Sequence, residues 1–517
     1  MPKQWPAGLD CRPCCIKTHD GILGTERILK GASASLKPVA ENILRHIHNL
    51  VQFDRVMCSE GYDRALDYVA AHLNCPEEWV NRDTVPAGEV FWDWKVPPTL
   101  VHWRDHRPDP QIHIPTHRPM NLLHVRIPGR STQEILFVTH LCHPSPSAND
   151  NASGPAMAME LIRYYAQHPP HFTLRFLFTV EYWGTVAFCA RHESVLPQVI
   201  AGVSIDMVGA NQDLCGSTMI VDEIPDHLAS CFDLILWHNL QTAARAGNYR
   251  AVGNPVMSFR CDFQYHMGGS DHYILNDSSV GIPSTAVGTY PDRFWHTADD
   301  TIDKIAPDTL NLFFSTIVNG VEEFSDVTDA GHQRSAGLVL HRYGEITHRL
   351  LMTINVDDIS ATEQMFRLTH SYRHAAARLN SMATSHSAAL ITPWLGILEE
   401  RFEQFQQQFT LSTGQIFESP NCQQGYRCHK LFKGPLSRNS LYERLAPEDE
   451  SQIMDWMGQD RLFFQKVDAA LNYSNHRGLR EIAWLLRMHY GGESYEPKLA
   501  WVFELLARHG LVKFLEA

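Results

Sequence analysis

The segment THLCHPSPSANDNASG, Thr139 to Gly154, sets two histidines three residues apart just after an apolar run and follows them with an aspartate in a small turn. Imidazoles and carboxylates recur at comparable places downstream. His140, His143 and Asp150 follow EILFVT, Glu181 follows TLRFLFTV, and Asp206 follows VIAGVSI. Ser270, Asp271 and His272 lie in the loop FQYHMGGSDHYILND, and His296 comes after PSTAVGTYPDRFW. These nitrogen and carboxylate-oxygen donors, with no lysine among them, suit a borderline divalent cation such as zinc.

The chain holds 29 histidines, so position has to carry the argument. Plainer roles stand beside the chemical ones. Asp150 could cap the helix-like AMAMELIRYY, Asp206 could be a strand-end turn residue, and Asp271 could close an Asx turn in its glycine loop. Tyr290 and Trp295 flank His296, as pocket-lining or as packing aromatics.

Positioning these groups falls to short apolar runs: EVFWDW, LLHVRIPG, EILFVTH, TLRFLFTVEY, VIAGVSIDMVG and PSTAVGTY read as strands. Helical spacing appears between several of them, as in AMAMELIRYYAQH and TVAFCARHESVL. The alternation predicts an α/β fold, a mostly parallel mixed sheet with helices on both faces. Ligands of open α/β sheets gather beyond the carboxyl ends of the strands, where every candidate sits. Residues 1–36 read as an irregular lead-in, 37–328 as the metal-binding catalytic domain, and 329–454 as a mainly helical connection. SPNCQQGYRCHKLFKGPLSRNS within that connection reads as loop. Residues 455–517 carry three helical segments and a terminal LVKFLEA, the pattern of a winged-helix-like domain.

At 517 residues the chain exceeds one average domain. A net charge of -14 argues against nucleic acid or an anionic membrane as the main partner. In the C-terminal unit Arg480, Arg487, Lys498, Arg508 and Lys513 are matched by Glu481, Glu493, Glu496, Glu504 and Glu516, which leaves no basic face for DNA. No apolar stretch approaches the roughly 20 residues of a membrane span. The N-terminal MPKQWPAGLDCRPCC lacks the apolar core of a signal peptide, and twelve scattered cysteines read as reduced cytoplasmic thiols. Homo-oligomerisation is left open.

Taken in order, the motifs resemble those of the zinc aminopeptidases of the M28 type. Asp150-Asn-Ala-Ser-Gly154 matches that family's Asp-x-x-Ser-Gly, Glu181-Tyr-Trp-Gly184 part of its Glu-Glu-x-Gly, Asp206 its lone aspartate, Ser270-Asp-His272 its Ser-Asp-His, and His296-Thr-Ala-Asp-Asp300 its His-Thr-x-x-Asp. The resemblance spans about residues 38 to 325. THLCHPS with NDNASG, PAGEVFWDWKVPP and the C-terminal winged helix are more closely similar to a bacterial aminopeptidase-like subgroup. What the resemblance implies is one or two zinc ions, with His140, Asp150 and Asp206 as ligands of one and Asp150 bridging to a second held by His296. It also implies Glu181 as the general base and Asp271 as an acid facing the site, with Tyr182, Ser270, His272, Tyr290 and Trp295 around the substrate.

Two positions depart from the family. Its second glutamate is Tyr182 here, and the aspartate that orients the first histidine is Cys142. Neutral tyrosine is a poor zinc ligand, so His143 becomes the candidate substitute or, more plainly, a hydrogen-bonding neighbour. The expectation is a zinc-dependent aminopeptidase-like hydrolase, cleaving an amide near a free amine in a small peptide or peptide-like metabolite. Single-zinc, glutaminyl-cyclase-like intramolecular aminolysis is the second chemistry, and a catalytically weak scaffold with an interaction-type winged helix the third reading.

Overall fold

A computed structural model of the chain describes residues 37–96, 99–103, 111–115, 117–245, 250–251, 254–255, 259–353, 359–382, 388–418, 427–492 and 495–515. The N-terminal lead-in, with Cys11, Cys14 and Cys15, lies outside them.

Eight strands form one sheet: β1 (Val80–Val85), β2 (Met120–Ile127), β3 (Ser131–His140), β4 (Phe172–Thr179), β5 (Val199–Ile205), β6 (Thr218–Glu223), β7 (Cys261–Tyr265) and β8 (Ser284–Tyr290). Their order is β1-β2-β4-β3-β5-β8-β6-β7. The centre β4-β3-β5-β8 is parallel, as is β6 with β7, while β1-β2, β2-β4 and β8-β6 run antiparallel. The expected mixed, mostly parallel sheet is therefore present. Every residue of β4 is buried, as a central parallel strand covered on both faces requires. Helices Lys37–Leu50, Ser153–Gln167 and Pro307–Phe324 pack together, and Phe232–Arg245 packs against the last of them. Their apolar sides join the sheet in a single large core.

EVFWDW departs from the reading as a sheet strand. Val90–Phe91 and Trp94–Lys95 pair with each other as a small hairpin. Its two turn residues, Trp92 and Asp93, both have positive φ (52° and 74°), the geometry of a tight two-residue hairpin turn.

After Phe324 the chain is helical through Asp329–Met352, Ala361–Ser381 and Ala388–Thr413. A smaller core then gathers around helices Phe463–Ser474, Leu479–Tyr490 and Glu496–Arg508 and also takes in Cys428, Leu436, Leu441 and Ile453. The terminal strand Val512–Leu515 pairs antiparallel with Arg427–Lys430, a segment that reads as loop in the sequence. Four polar-flanked residues carry no strand signal of their own, and only partners 82 to 88 residues later make them a strand. This unit is bonded to the sheet domain: Trp94 Nε1 donates to Pro435 O at 2.9 Å, Lys430 Nζ meets Asp277 Oδ2 at 2.5 Å, and the Tyr273 hydroxyl donates to Asp468. Among the described residues no helix is long and apolar enough to cross a membrane.

Candidate metal centre

The parallel strands deliver their carboxyl ends to one place. His140 is the last residue of β3, Glu181 lies two beyond β4, Asp206 one beyond β5, and His296 six beyond β8. Between β3 and the following helix, NDNASG forms a turn whose parts each have a job. The Asn151 side chain donates to Thr139 Oγ1, His140 O and Ile205 O and accepts from the Gly154 and Met207 amides, joining the ends of β3 and β5. Ser153 Oγ donates to Asn149 O at 2.7 Å and accepts from Val208 N. A Cβ at Gly154 would sit 2.4 Å from Ile205 O, so the close approach of turn and strand requires glycine there.

Asp150 ends up at the centre. His140 Nε2 is 3.6 Å and His143 Nε2 3.2 Å from Asp150 Oδ1, while His296 Nε2 is 3.1 Å from Oδ2. Asp206 Oδ1 faces His140 Nε2 at 3.2 Å, and Glu181 Oε2 lies 4.0 Å from His143 Nε2. The helix after the turn has no side-chain cap, so Asp150 spends its carboxylate on the imidazoles. The His143 ring stands edge-on to both His140 and His296, with centroids 4.8 and 5.3 Å away. Tyr182 takes another course, its ring packing edge-on to Tyr273. Where the family resemblance has a carboxylate, this chain has a phenol turned to an aromatic neighbour, and His143 stands beside Asp150.

This donor set fits a metal. His143, Asp150 and His296 offer three ligand atoms within 4.8 Å of one another, and His140, His143 and Glu181 do the same. Bonds of about 2.0–2.2 Å in a tetrahedral zinc site put neighbouring ligand atoms about 3.4 Å apart, close to the spacings here. Burial drives the His143 imidazole down to about 4, leaving a neutral ring with a lone pair to give. Burial opposes protonation of His140 too, but the Asp206 and Glu181 carboxylates hold it well above the usual imidazole range. Burial pushes the Glu181 carboxyl up to about 8; His140 opposes the rise, while Asp206, Asp271 and Asp150 add to it.

Two residues that the sequence reading did not single out hold the turn. The Arg55 guanidinium, fully buried, donates to Leu141 O (3.0 Å), Leu50 O (2.6 Å), Ser147 O (2.8 Å) and Pro146 O (3.3 Å), while its own carbonyl accepts from His143 N at 2.8 Å. The Asp300 carboxylate accepts the Asn149 and Asp150 amides at 2.8 and 2.9 Å. Asp300 is the final aspartate of the His-Thr-x-x-Asp match, to which the sequence reading gave no role of its own. Arg55 gave no local signal, because its partners lie up to 92 residues away. Of the eight non-glycine residues with positive φ among those described, His143, Ser147, Tyr182, Met207 and His296 belong to the loops of this site.

The remaining sequence candidates are distributed around this centre. Asp271 is fully buried and accepts from Tyr182 N (2.9 Å) and Thr185 Oγ1 (2.7 Å), holding the start of helix Trp183–Arg191 rather than closing its own loop. Ser270 is buried against Ser204 at 3.0 Å, and the His272 ring is buried against Asp222 at 3.1 Å. Neither lines the cleft above the candidate ligands. Trp295 stacks on the His296 ring at 3.7 Å, and both Trp295 and Tyr290 are partly exposed. Cys142 Sγ accepts from Glu181 N at 3.4 Å and lies 3.8 Å from His140 Nδ1, occupying the orienting place behind the first histidine. The cleft, about 1240 Å³ with its open mouth, is lined by His143, Glu181, Tyr182, His296, Trp94, Trp183, Tyr273 and, from the C-terminal unit, residues 436–439 and Gln465.

Residues 44–234, less than half of the chain, match a family described as a domain of unknown function (DUF4910). A Clostridium acetobutylicum protein, provisionally named for polysaccharide biosynthesis and an aminopeptidase-like domain, is 34% identical over 83 residues, 16% of this chain and 19% of that protein. The match thus spans about a fifth of the length of that relative. Among solved structures, an Acidobacteriales bacterium glutaminyl cyclase is 20% identical, covering 56% of this chain and 95% of its own, at a TM-score of 0.40. A Clostridium acetobutylicum protein provisionally named a peptidase is 14% identical and covers 95% of this chain and 100% of its own, at a TM-score of 0.46. Zinc-dependent exopeptidase and aminopeptidase structures from Parabacteroides distasonis and Bacillus subtilis also match, each at a TM-score of 0.40.

Proposed function

We propose that this chain is a zinc-dependent hydrolase that cleaves an amide next to a free amine in a small peptide or peptide-like metabolite. The observation that carries the reading is the convergence of three imidazole Nε2 atoms on Asp150 at the strand ends, with Asp206 and Glu181 alongside. His140, Asp150 and Asp206 would hold one ion, and His143, Asp150 and His296 a second. When bound, zinc polarises the scissile carbonyl and makes water acidic enough to attack near neutral pH. The order of motifs supports the same assignment, and so does the aminopeptidase-like domain in the name of the Clostridium relative.

Glu181 lines the cleft beside these ligands and is our candidate base, taking a proton from the attacking water and passing it to the leaving amine. Asp271 acts as a positioning residue: through Tyr182 N and Thr185 it fixes the loop that presents Glu181. We read the C-terminal unit as winged-helix-like and as a wall of the cleft, in keeping with its balanced charge. The eight described cysteines are all free, in keeping with a cytoplasmic setting.

Tyr182, in place of the carboxylate that the resemblance leads one to expect, favours a second reading. A site with one effective ion would suit attack by the substrate's own amine, as in peptide cyclisation. Product mass separates the two: hydrolysis adds water, and cyclisation expels ammonia or an amine. Incubation of zinc-loaded protein with short peptides bearing free amines, followed by mass spectrometry, is the test; intact peptides in every case would overturn both.

A further inference from the structure

Part of the cleft wall is supplied by the C-terminal unit, and it contains one unmatched cation. Of the residues lining the cleft, Arg438 is the only lysine or arginine. Among the described residues its guanidinium forms no ion pair and donates no hydrogen bond; its carbon lies 4.7 Å from the Phe464 ring, and the Tyr182 and Tyr273 hydroxyls feel its charge. Five other arginines of the C-terminal unit meet carboxylates. Arg444 faces Asp93, Arg477 Glu481, Arg480 Glu496, Arg487 Glu363, and Arg508 Asp449. The chain carries 58 acidic against 44 basic side chains, so an arginine left without an acid in a half-buried place is not short of internal partners in general.

The segment bearing Arg438 is fixed relative to the metal ligands. Leu436 N donates to Asp468 Oδ1 at 2.8 Å, and the same carboxylate takes the Tyr273 hydroxyl from the opposite domain. Trp94 Nε1 holds Pro435 O, and Ser440 Oγ donates to Asp93 O. Stacking on Phe464 restrains the guanidinium plane while leaving its N–H edges unused. That edge is a fork matched to a carboxylate.

We propose that Arg438 anchors a carboxylate of the substrate, so that the cleft takes short molecules carrying a free amine near the metal and a free carboxylate at Arg438. The substrate class is then free short peptides or similar amino-carboxylates, in preference to their C-terminal amides. This rests on the hydrolase reading for its substrate's amide but not for the anion site itself.

The test uses the full zinc-loaded chain with alanine peptides of two to four residues, each as free acid and as C-terminal amide. Turnover is followed by product release, and binding to Glu181→Gln protein by quenching of the cleft tryptophans. Acids should exceed amides by about tenfold or more in kcat/KM and in affinity, as loss of a charge-assisted pair implies. Arg438→Gln should collapse the acid-to-amide ratio to near one, and Arg438→Lys should restore part of it, with zinc content and melting temperature checked in each. Equal handling of acids and amides by the unaltered protein, or a preference that survives Arg438→Gln, overturns the proposal while hydrolysis of both keeps the enzymatic reading. Arg438-dependent binding of acids without turnover keeps the anion site and overturns the hydrolase. Neither binding nor turnover overturns both. Displacement of the acids by inorganic phosphate at far lower concentration than by acetate would replace the carboxylate with a phosphate and overturn the assignment.

Discussion

His143 Nε2 stands 3.2 Å from Asp150 Oδ1, on the carboxylate whose other oxygen meets His296. The ring reaches this place because its backbone amide is held by the carbonyl of Arg55, at a φ of 149° that L residues rarely adopt. We propose that a histidine held this way beside a shared carboxylate takes the place of the glutamate that the family has where this chain has Tyr182.

His143→Ala should therefore weaken zinc binding by at least about tenfold, since a donor is removed from a site that has few. Competition with a chelator of known affinity measures it. Unchanged affinity would reduce His143 to a hydrogen-bonding neighbour. Tyr182→Phe should leave zinc affinity within about twofold, because the Tyr182 ring packs edge-on to Tyr273.

Glu181→Gln should lower turnover by about 10²- to 10⁴-fold, the usual contribution of a general base, with metal content unaltered. Steady-state kinetics on any peptide that the protein cleaves reads this out directly. Undiminished turnover would remove Glu181 from the reaction.

Arg55→Met should destabilise the protein by about 3 kcal/mol or more, because several buried carbonyls lose their donor at once. Urea denaturation followed by tryptophan fluorescence gives the change. The same variant should bind zinc more weakly, since the Leu141–Ser147 loop carries His143.

Asp468 ties the two cores together and should leave a mark on the pH profile. Burial pushes its carboxyl up to about 6, although the Tyr273 hydroxyl and the Leu436 amide oppose the rise. A carboxyl whose folded pKa is raised binds more protons folded than unfolded between about pH 4 and 6. Its contribution to stability is thus greatest at the acid end and is lost as pH climbs through that window. Asp468→Asn should flatten the fall in stability from pH 4 to 6 relative to the unaltered chain. Identical pH profiles would show that the group titrates normally.

The strand-end donors were legible because each follows an apolar run with a polar residue that a sheet interior would not tolerate, and the runs themselves revealed the sheet. Val80–Val85 gave no such signal, since edge strand VNRDTV keeps one apolar residue at either end and is largely exposed between. The hairpin at Val90–Lys95 looked like a sheet strand because a tight turn at Trp92 and Asp93 has none of the usual glycine or asparagine. Arg55 and Arg438 were silent for another reason. Their roles depend on carbonyls and a cleft assembled from segments far away in the chain, which no local spacing records. His143 was visible as a candidate, but its relation to Asp150 needed the turn between them to be folded.

The most direct measurement is metal content of the purified full-length chain by inductively coupled plasma mass spectrometry, after exposure to zinc and removal of the loosely bound excess. The arrangement around Asp150 predicts one to two zinc ions per chain, falling below 0.2 in Asp150→Ala. Absence of zinc or a similar divalent ion at stoichiometric level, or a content unaffected by loss of Asp150, would contradict the metal centre and the hydrolase built on it.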